Sequence, residues 1–175
     1  MAKELGLSGI IKSESQDICF IPDNDYSSFI SEQISSPPGE IIDINGNILG
    51  KHRGLAFYTV GQRQGLGLSS NERLYVISLD TYNNRLIVGG QEYLFTSQLY
   101  VDKLNWISGK APDESANVTA KIRYRSPEAA VNLDINNASA KVQFSQPQRA
   151  VAPGQSIVFY QGELVLGGGI IENYN

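Results

Sequence analysis

Apolar positions along the chain recur with two periods, and the change between them marks its organisation. In "PDNDYSSFISEQI", Tyr26, Phe29, Ile30 and Ile34 fall at helical spacing. Asp23, Asn24 or Asp25 can cap that helix, and Pro37-Pro38 forbid its continuation. Upstream, "AKELGL" reads as the last turns of another helix stopped by Gly6, so the chain looks truncated at its start. "IIKSESQDICFI" then enters a short strand at Ile18–Ile21.

Beyond Pro38 the period drops to two. "PGEIIDINGNILGKHRG" reads as a hairpin, with Asn45-Gly46 as the central pair of a type I′ turn. "RLYVISLDTYNNRLIVGG" is a second hairpin turning near Asn83-Asn84. Between them, "GLAFYTVGQRQGLGL" has glycines too frequent for a long regular element. Residues 99–172 are nearly all short strands, separated by turn signals at Asn136-Asn137, Pro153-Gly154 and Gln161-Gly162. Such even spacing predicts a small closed barrel. In "NVTAKIRYR", Val118, Ala120, Ile122 and Tyr124 share one face of the predicted strand, and Thr119, Lys121, Arg123 and Arg125 the other. No heptad, low-complexity tract or convincing internal repeat interrupts the pattern.

Composition narrows the class. The 175 residues are 41% hydrophobic and 18% charged, enough for a real core. No apolar run approaches the roughly 20 residues that span a bilayer. "MAKELGLSGI" lacks the basic and apolar regions of a signal peptide. A single cysteine excludes an intrachain disulfide scaffold and favours a cytoplasmic setting. One Cys and one His make a four-ligand zinc site unlike this chain.

A net charge of −4 argues against nucleic acid until its distribution is considered. Residues 1–43 hold eight acids and two bases, a local −6; the rest hold ten acids and twelve bases, a local +2. Ile44–Asn71 contains no acid but has Lys51, His52, Arg53 and Arg63. Ser115–Pro127 contains none either, with Lys121, Arg123 and Arg125. These windows suit phosphates as well as they suit solvated strand faces.

Candidate chemistry is sparse. Cys19 lies among Ile18, Phe20 and Ile21, which favour a small buried hydrophobe, and Asp17 opposes ionisation of its thiol. A reactive thiolate there needs a cation from the Lys51–Arg63 window or from outside the chain. His52, flanked by Lys51 and Arg53, reads as a surface or phosphate-side residue more readily than as a partner of Cys19. "GQRQGLGL" lacks the Gly-Lys-Ser/Thr ending of a phosphate loop and the strand-to-helix context of a dinucleotide fingerprint. Its backbone can still approach a ligand or another chain segment closely. Asp23 and Asp25 read as caps, not as a general acid/base pair. Gln155, just after Pro153-Gly154, can turn its amide toward a base or sugar, while three glycines at a barrel closure explain most of that segment.

"ESQDICFIPDNDYSSFI", "PGEIIDINGNILGKHRGLAFYTVGQRQGLGL", "KIRYRSPEAAV" and "RAVAPGQSIVFYQGELVLGGGII" run in this order through nearly the whole chain. Together they resemble the tRNA-specific 2-thiouridylases; "SQDICFI", "HRGLAFYTVGQRQGLG" and "APGQSIVFYQGELVLGGG" are the specific motifs. The resemblance implies an enzyme that replaces the C2 oxygen of the wobble uridine by sulfur. ATP, with magnesium, activates the uridine. One cysteine carries the sulfur as a persulfide and a second completes transfer. Cys19 matches the persulfide carrier. The family's tRNA contacts fall on Arg123, Tyr124 and Gln155, with Lys51, Arg53 and Arg63 as further candidates.

The N-terminal pyrophosphatase-loop domain of that family, with its Ser-Gly-Gly-x-Asp-Ser motif and the other cysteine, has no match here. The resemblance therefore implies a fragment that does not bind ATP and is inactive alone. Residues 1–20 would be the end of that domain and a linker with the catalytic cysteine, 21–95 a central domain, and 96–175 a β-barrel. The expected fold is mainly β with minor α: hairpins and one short helix, then a six-stranded barrel resembling those of translation factors. Expected partners are tRNAs with Lys, Glu and Gln acceptors and a sulfur-donor protein, with no membrane. A non-catalytic tRNA-binding barrel with a structural cysteine is the alternative; a protein-interaction barrel is the more distant one.

Overall fold

The computed structural model describes residues 26–70, 72–113 and 116–172. Cys19, the predicted strand around it and the capping candidates Asp23, Asn24 and Asp25 lie outside the described residues. The chain divides into two compact units, Met1–Ser36 and Pro37–Asn175. In the first, helix α1 spans Tyr26–Gln33, and the bond from Ile34 N–H to the Ile30 carbonyl (2.9 Å) carries its pattern one residue further. Pro37 and Pro38 follow, where the sequence predicts that no helix can pass.

The second unit begins with a four-stranded sheet: β1 (Gly39–Asp43), β2 (Ile48–His52), β3 (Tyr75–Asp80) and β4 (Arg85–Gly89). Its order is β2-β1-β4-β3. Both predicted hairpins are present, and they join through a parallel pairing of β1 with β4 that local sequence does not signal. The first turn differs from the type I′ expectation. Gly46 N–H bonds the Asp43 carbonyl (3.0 Å), so Ile44 and Asn45 are the central pair. Gly46 alone is left-handed, at φ +86°, as in a type I turn followed by a bulge. Asp43 selects this form: its Oδ1 accepts from the N–H groups of Asn45 (2.9 Å) and Asn47 (2.8 Å).

The glycine-rich connection between β2 and β3 is irregular, as expected, with one 3-10 turn at Leu55–Phe57. It still contributes core. Leu55, Tyr58 and Leu66 pack with Ile41, Val76, Leu86 and Val88. Among these side chains Ile41, Val76, Leu86 and Val88 are fully inaccessible.

The barrel comprises β5 (Phe95–Trp106), β6 (Val118–Lys121), β7 (Ala129–Asn136), β8 (Ser139–Arg149), β9 (Ser156–Gln161) and β10 (Leu164–Ile171). It closes in the order β10-β5-β8-β7-β6-β9, with all neighbours antiparallel. Alternate residues point inward: Leu99 and Val101, Val118 and Ala120, Ile157 and Phe159. Gly167, Gly168 and Gly169 lie so close to β5 and β9 that a Cβ on any of them would collide, which fits the predicted closure. The described residues are thus mainly β, with one short α-helix, a mixed four-stranded sheet and a closed six-stranded barrel. No helix among the described residues is long and apolar enough to cross a membrane.

Strand β6 is shorter than its alternation predicts. Ladder pairing ends at Lys121, and Arg123–Ser126 forms a tight turn closed by Ser126 N–H to the Arg123 carbonyl (3.1 Å). The Ser126 hydroxyl locks it, accepting from Arg123 N–H (3.2 Å) and donating to the Arg123 carbonyl (2.8 Å). Pro127 has no N–H with which to resume the ladder. Ile122 keeps its inward place, but Tyr124 rides the turn and is 78% exposed, not packed on the apolar face.

Candidate nucleic-acid interface

The turn after β6 brings Arg123 against the segment that links β8 to β9. Its Nε–H donates to Gln155 Oε1 (3.3 Å), and its Nη2 group donates to the Ala150 carbonyl. The two anchors orient the guanidinium plane. A guanidinium has five N–H donors, so donors remain for an anionic ligand. Gln155 accepts from Arg123 through its oxygen, which leaves its NH₂ as the group able to donate to a base or sugar.

Gln155 is itself fixed by the barrel. It closes the Ala152–Gln155 turn through Pro153-Gly154, and its carbonyl accepts from Ile171 N–H (2.8 Å) at the end of β10. Gly154 N–H returns a bond to the Ile171 carbonyl (2.8 Å). A groove of about 590 Å³ opens beside Arg123, lined also by Arg149, Ser126, Gln146 and Gln148 among others, while Gln155 lines a separate cavity. The Arg149 guanidinium lies 5.7 Å from the centre of the Tyr75 ring. Exposed Tyr124 adds an aromatic face at the tip of the turn. Lys121 is engaged nearby, 3.3 Å from Glu128, which also accepts from Thr119 (2.9 Å). The arrangement offers oriented cations, an amide donor and a stacking surface, a set suited to an RNA backbone and an unpaired base.

Arg123 and Gln155 thus come together from positions 32 residues apart, with Tyr124, the next residue after Arg123, exposed on the turn. The other basic candidates do not join them. Lys51 is exposed on β2 opposite Glu40, which pairs with Arg85 at 3.2 Å. Arg53 is exposed, its guanidinium 4.6 Å from the centre of the Phe57 ring. Arg63 is exposed in the glycine-rich connection. None of the three lines the groove beside Arg123. Arg149 does, from the last position of β8, a place that its local sequence does not signal.

His52 departs from its expected surface position. It is 1% exposed and sits inside the sheet. Gly54 N–H can only donate, so Nδ1 accepts from it (3.0 Å) and the ring proton lies on Nε2, directed at the Asn84 carbonyl (3.1 Å). Both ring nitrogens are used in holding the chain.

The described residues do not fit ATP and magnesium. Gly61–Gly67 is a chain of turns leading to β3, not a loop opening a helix whose N–H groups cradle phosphate. Among the described residues no three His, Cys, Asp or Glu side chains cluster to hold a cation.

Comparison with known proteins agrees with this architecture. An aminomethyltransferase β-barrel domain family matches residues 96–171, and a tRNA methyl transferase PRC-barrel domain family matches residues 27–90. A tRNA-specific 2-thiouridylase of Halothermothrix orenii is 48% identical over 178 residues, 99% of this chain and 50% of the relative. One from Caldanaerobacter subterraneus is 50% identical, over 98% of this chain and 48% of the relative. The chain belongs to the tRNA-specific 2-thiouridylase family. A more distant member, from Magnetococcus marinus, is 45% identical over 98% of this chain and 49% of its own length. The chain therefore spans about half the length of the curated relatives it matches. In this chain the two matched segments cover, in order, most of α1 with the four-stranded sheet, and the closed barrel.

Proposed function

We propose that this chain is the tRNA-holding and sulfur-carrying part of an enzyme that converts the C2 carbonyl of the wobble uridine to a thiocarbonyl. The observation that carries the reading is the joining of Arg123 to Gln155, with Tyr124 exposed beside them, in a 2-thiouridylase family member. Arg123 meets a phosphate, Gln155 donates to a base or sugar, and Tyr124 offers a stacking face. Lys51, Arg53 and Arg63 would add cationic contacts away from that groove. Cys19 holds sulfur as a persulfide, a soft group that thiol exchange can pass onward. ATP, with magnesium, would be bound outside this chain. Lys, Glu and Gln acceptor tRNAs, a sulfur-donor protein and a cytoplasmic setting complete the proposal. The domain limits proposed with it are 1–20, 21–95 and 96–175.

Two substitutions in the complete protein test both halves. Arg123→Ala should weaken tRNA binding about tenfold and lower the slope of log affinity against log salt by about 0.7–0.9, the loss of one phosphate contact. An unchanged slope would mean that Arg123 makes no phosphate contact. Cys19→Ser should abolish thiolation, read by mass spectrometry of the tRNA, while tRNA affinity stays within twofold. Thiolation at the normal rate would make the chain a binding module with a structural cysteine.

A further inference from the structure

The glycine-rich connection touches the arginine site from behind. Thr59–Gln62 is a tight turn closed by Gln62 N–H to the Thr59 carbonyl (3.0 Å), with Gly61 at φ +89° in its third position. That position of a type II turn requires a left-handed residue. The turn is held rigidly. Gly61 N–H donates to the Val76 carbonyl (2.8 Å), and Val76 N–H donates to the Gln62 carbonyl (2.9 Å). The Gln62 side chain accepts from Thr59 N–H (3.1 Å) and donates to the Gln64 carbonyl (2.8 Å).

Ala150 packs onto the bare face of Gly61. A Cβ on Gly61 would lie 2.8 Å from the Ala150 Cβ, closer than such atoms approach. Ala150 is 2% exposed and left-handed itself, at φ +52°, a conformation an L-alanine adopts only when its surroundings impose it. Its N–H is held by the Leu94 carbonyl (2.7 Å). Its carbonyl accepts from Arg123. The left-handed residue directly after β8 turns that carbonyl out of the ladder and onto the guanidinium.

We propose that Gly61, the first glycine of "GQRQG", is a positioning residue for Arg123, acting through Ala150. The Gly61 turn is the wall against which Ala150 keeps its left-handed backbone, and that backbone aims the acceptor that orients the arginine. The RNA consequence rests on the function proposed above; the positioning itself does not. The glycine-rich segment, whose backbone the sequence lets approach a ligand or another chain segment closely, thus serves a contact made on the barrel.

The test has two arms. In the chain as it stands, the Arg123 Nη2–H resonance, which reports the bond to the Ala150 carbonyl, should be distinct in a ¹H–¹⁵N spectrum and slow to exchange. Gly61→Ala should move it to the position of a free arginine. Gly61→Ala in the complete protein should also weaken tRNA binding about tenfold and lower the salt slope by about 0.7–0.9, matching Arg123→Ala. The double variant Gly61→Ala/Arg123→Ala should be no weaker than Arg123→Ala alone. Adding Ala150→Gly to Gly61→Ala removes the colliding Cβ and should restore the resonance and most of the affinity, which a general loss of stability would not predict. Retention of the anchored resonance in Gly61→Ala, or full additivity with Arg123→Ala, overturns the proposal. If Gly61→Ala does not fold, the pair with Ala150→Gly must recover both fold and resonance; a pair that stays unfolded, or folds with Arg123 released, also overturns it. If Arg123→Ala leaves the salt slope unchanged, the RNA reading fails while the resonance still judges the positioning.

Discussion

At the scale of single residues, His52 shows how a polar side chain becomes structural. It replaces two backbone contacts that strand pairing cannot supply: one to Gly54, where the chain leaves β2, and one to Asn84, in the turn between β3 and β4. Asn84 is left-handed at φ +52° and donates to the Pro38 carbonyl (3.0 Å), so the histidine ties the entry of β1 to that turn. Gly39 pairs with His52 in the register, and a Cβ there would sit 2.6 Å from Nε2. Replacing His52 by alanine opens a cavity and leaves the Gly54 N–H and Asn84 carbonyl unpaired. Chemical denaturation should report a loss of about 2–4 kcal/mol. Lys51→Ala, one residue earlier but exposed, should change stability by less than about 0.5 kcal/mol. Equal effects at the two positions would deny His52 its place in the sheet.

At the scale of elements, both sheet hairpins turn on the same chemistry. Asp43 accepts from Asn45 and Asn47, and Asp80 accepts from Asn83 through backbone (3.0 Å) and side chain (2.8 Å). The Asn47 side-chain amide holds the Asp43 carboxyl below its ordinary 3.8, and the Asn83 side-chain amide does the same for Asp80. A carboxylate whose folded pKa is lowered stabilises the fold above its unfolded value and loses that contribution as pH falls through the folded one. The stability contributed by these turns should therefore be full above about pH 5 and decline below the ordinary carboxylate range. Carboxyl ¹³C titration should place both midpoints below 3.8. The double variant Asp43→Asn/Asp80→Asn should lose less stability on acidification than the parent. Such turns are legible in sequence because their Asp, Asn and Gly donors and acceptors are neighbours in the chain. The type I′ assignment failed because Asp43 captures the N–H groups that select another turn. The parallel β1–β4 pairing was illegible because it joins segments 45 residues apart without a local signal. Strand β6 was overread because alternation continues through "KIRYR", while Ser126 and Pro127 end the ladder from beyond it. Arg123 and Gln155 were readable one by one; their contact depends on barrel closure and the left-handed turn at Ala150, which an alanine does not announce.

At the scale of the molecule, the sheet and the barrel meet in a small apolar seam of Tyr75, Leu94 and Ala150, with Val60 and Ile77 against it. This seam crosses the boundary that the sequence places at residue 95, and Pro37–Asn175 forms one compact unit. It also contains Ala150 and the neighbour of Gly61, so the contact that joins the two layers is the one that orients Arg123. Cooperative unfolding of both layers is the thermodynamic counterpart of that geometry. The single tryptophan, Trp106, packs on Phe159 inside the barrel with ring centres 5.5 Å apart, so its fluorescence reports the barrel alone. Amide exchange at Ile41 and Leu86 reports the sheet. In urea the two probes should share one midpoint. Leu94→Ala, at a site 4% exposed, should lower stability by about 2–4 kcal/mol and separate the probes, with the sheet opening first. Separate midpoints in the parent chain would make the seam too weak to transmit anything from Gly61 to the arginine, whereas a shared midpoint that Leu94→Ala splits would identify this cluster as the coupling between the layers.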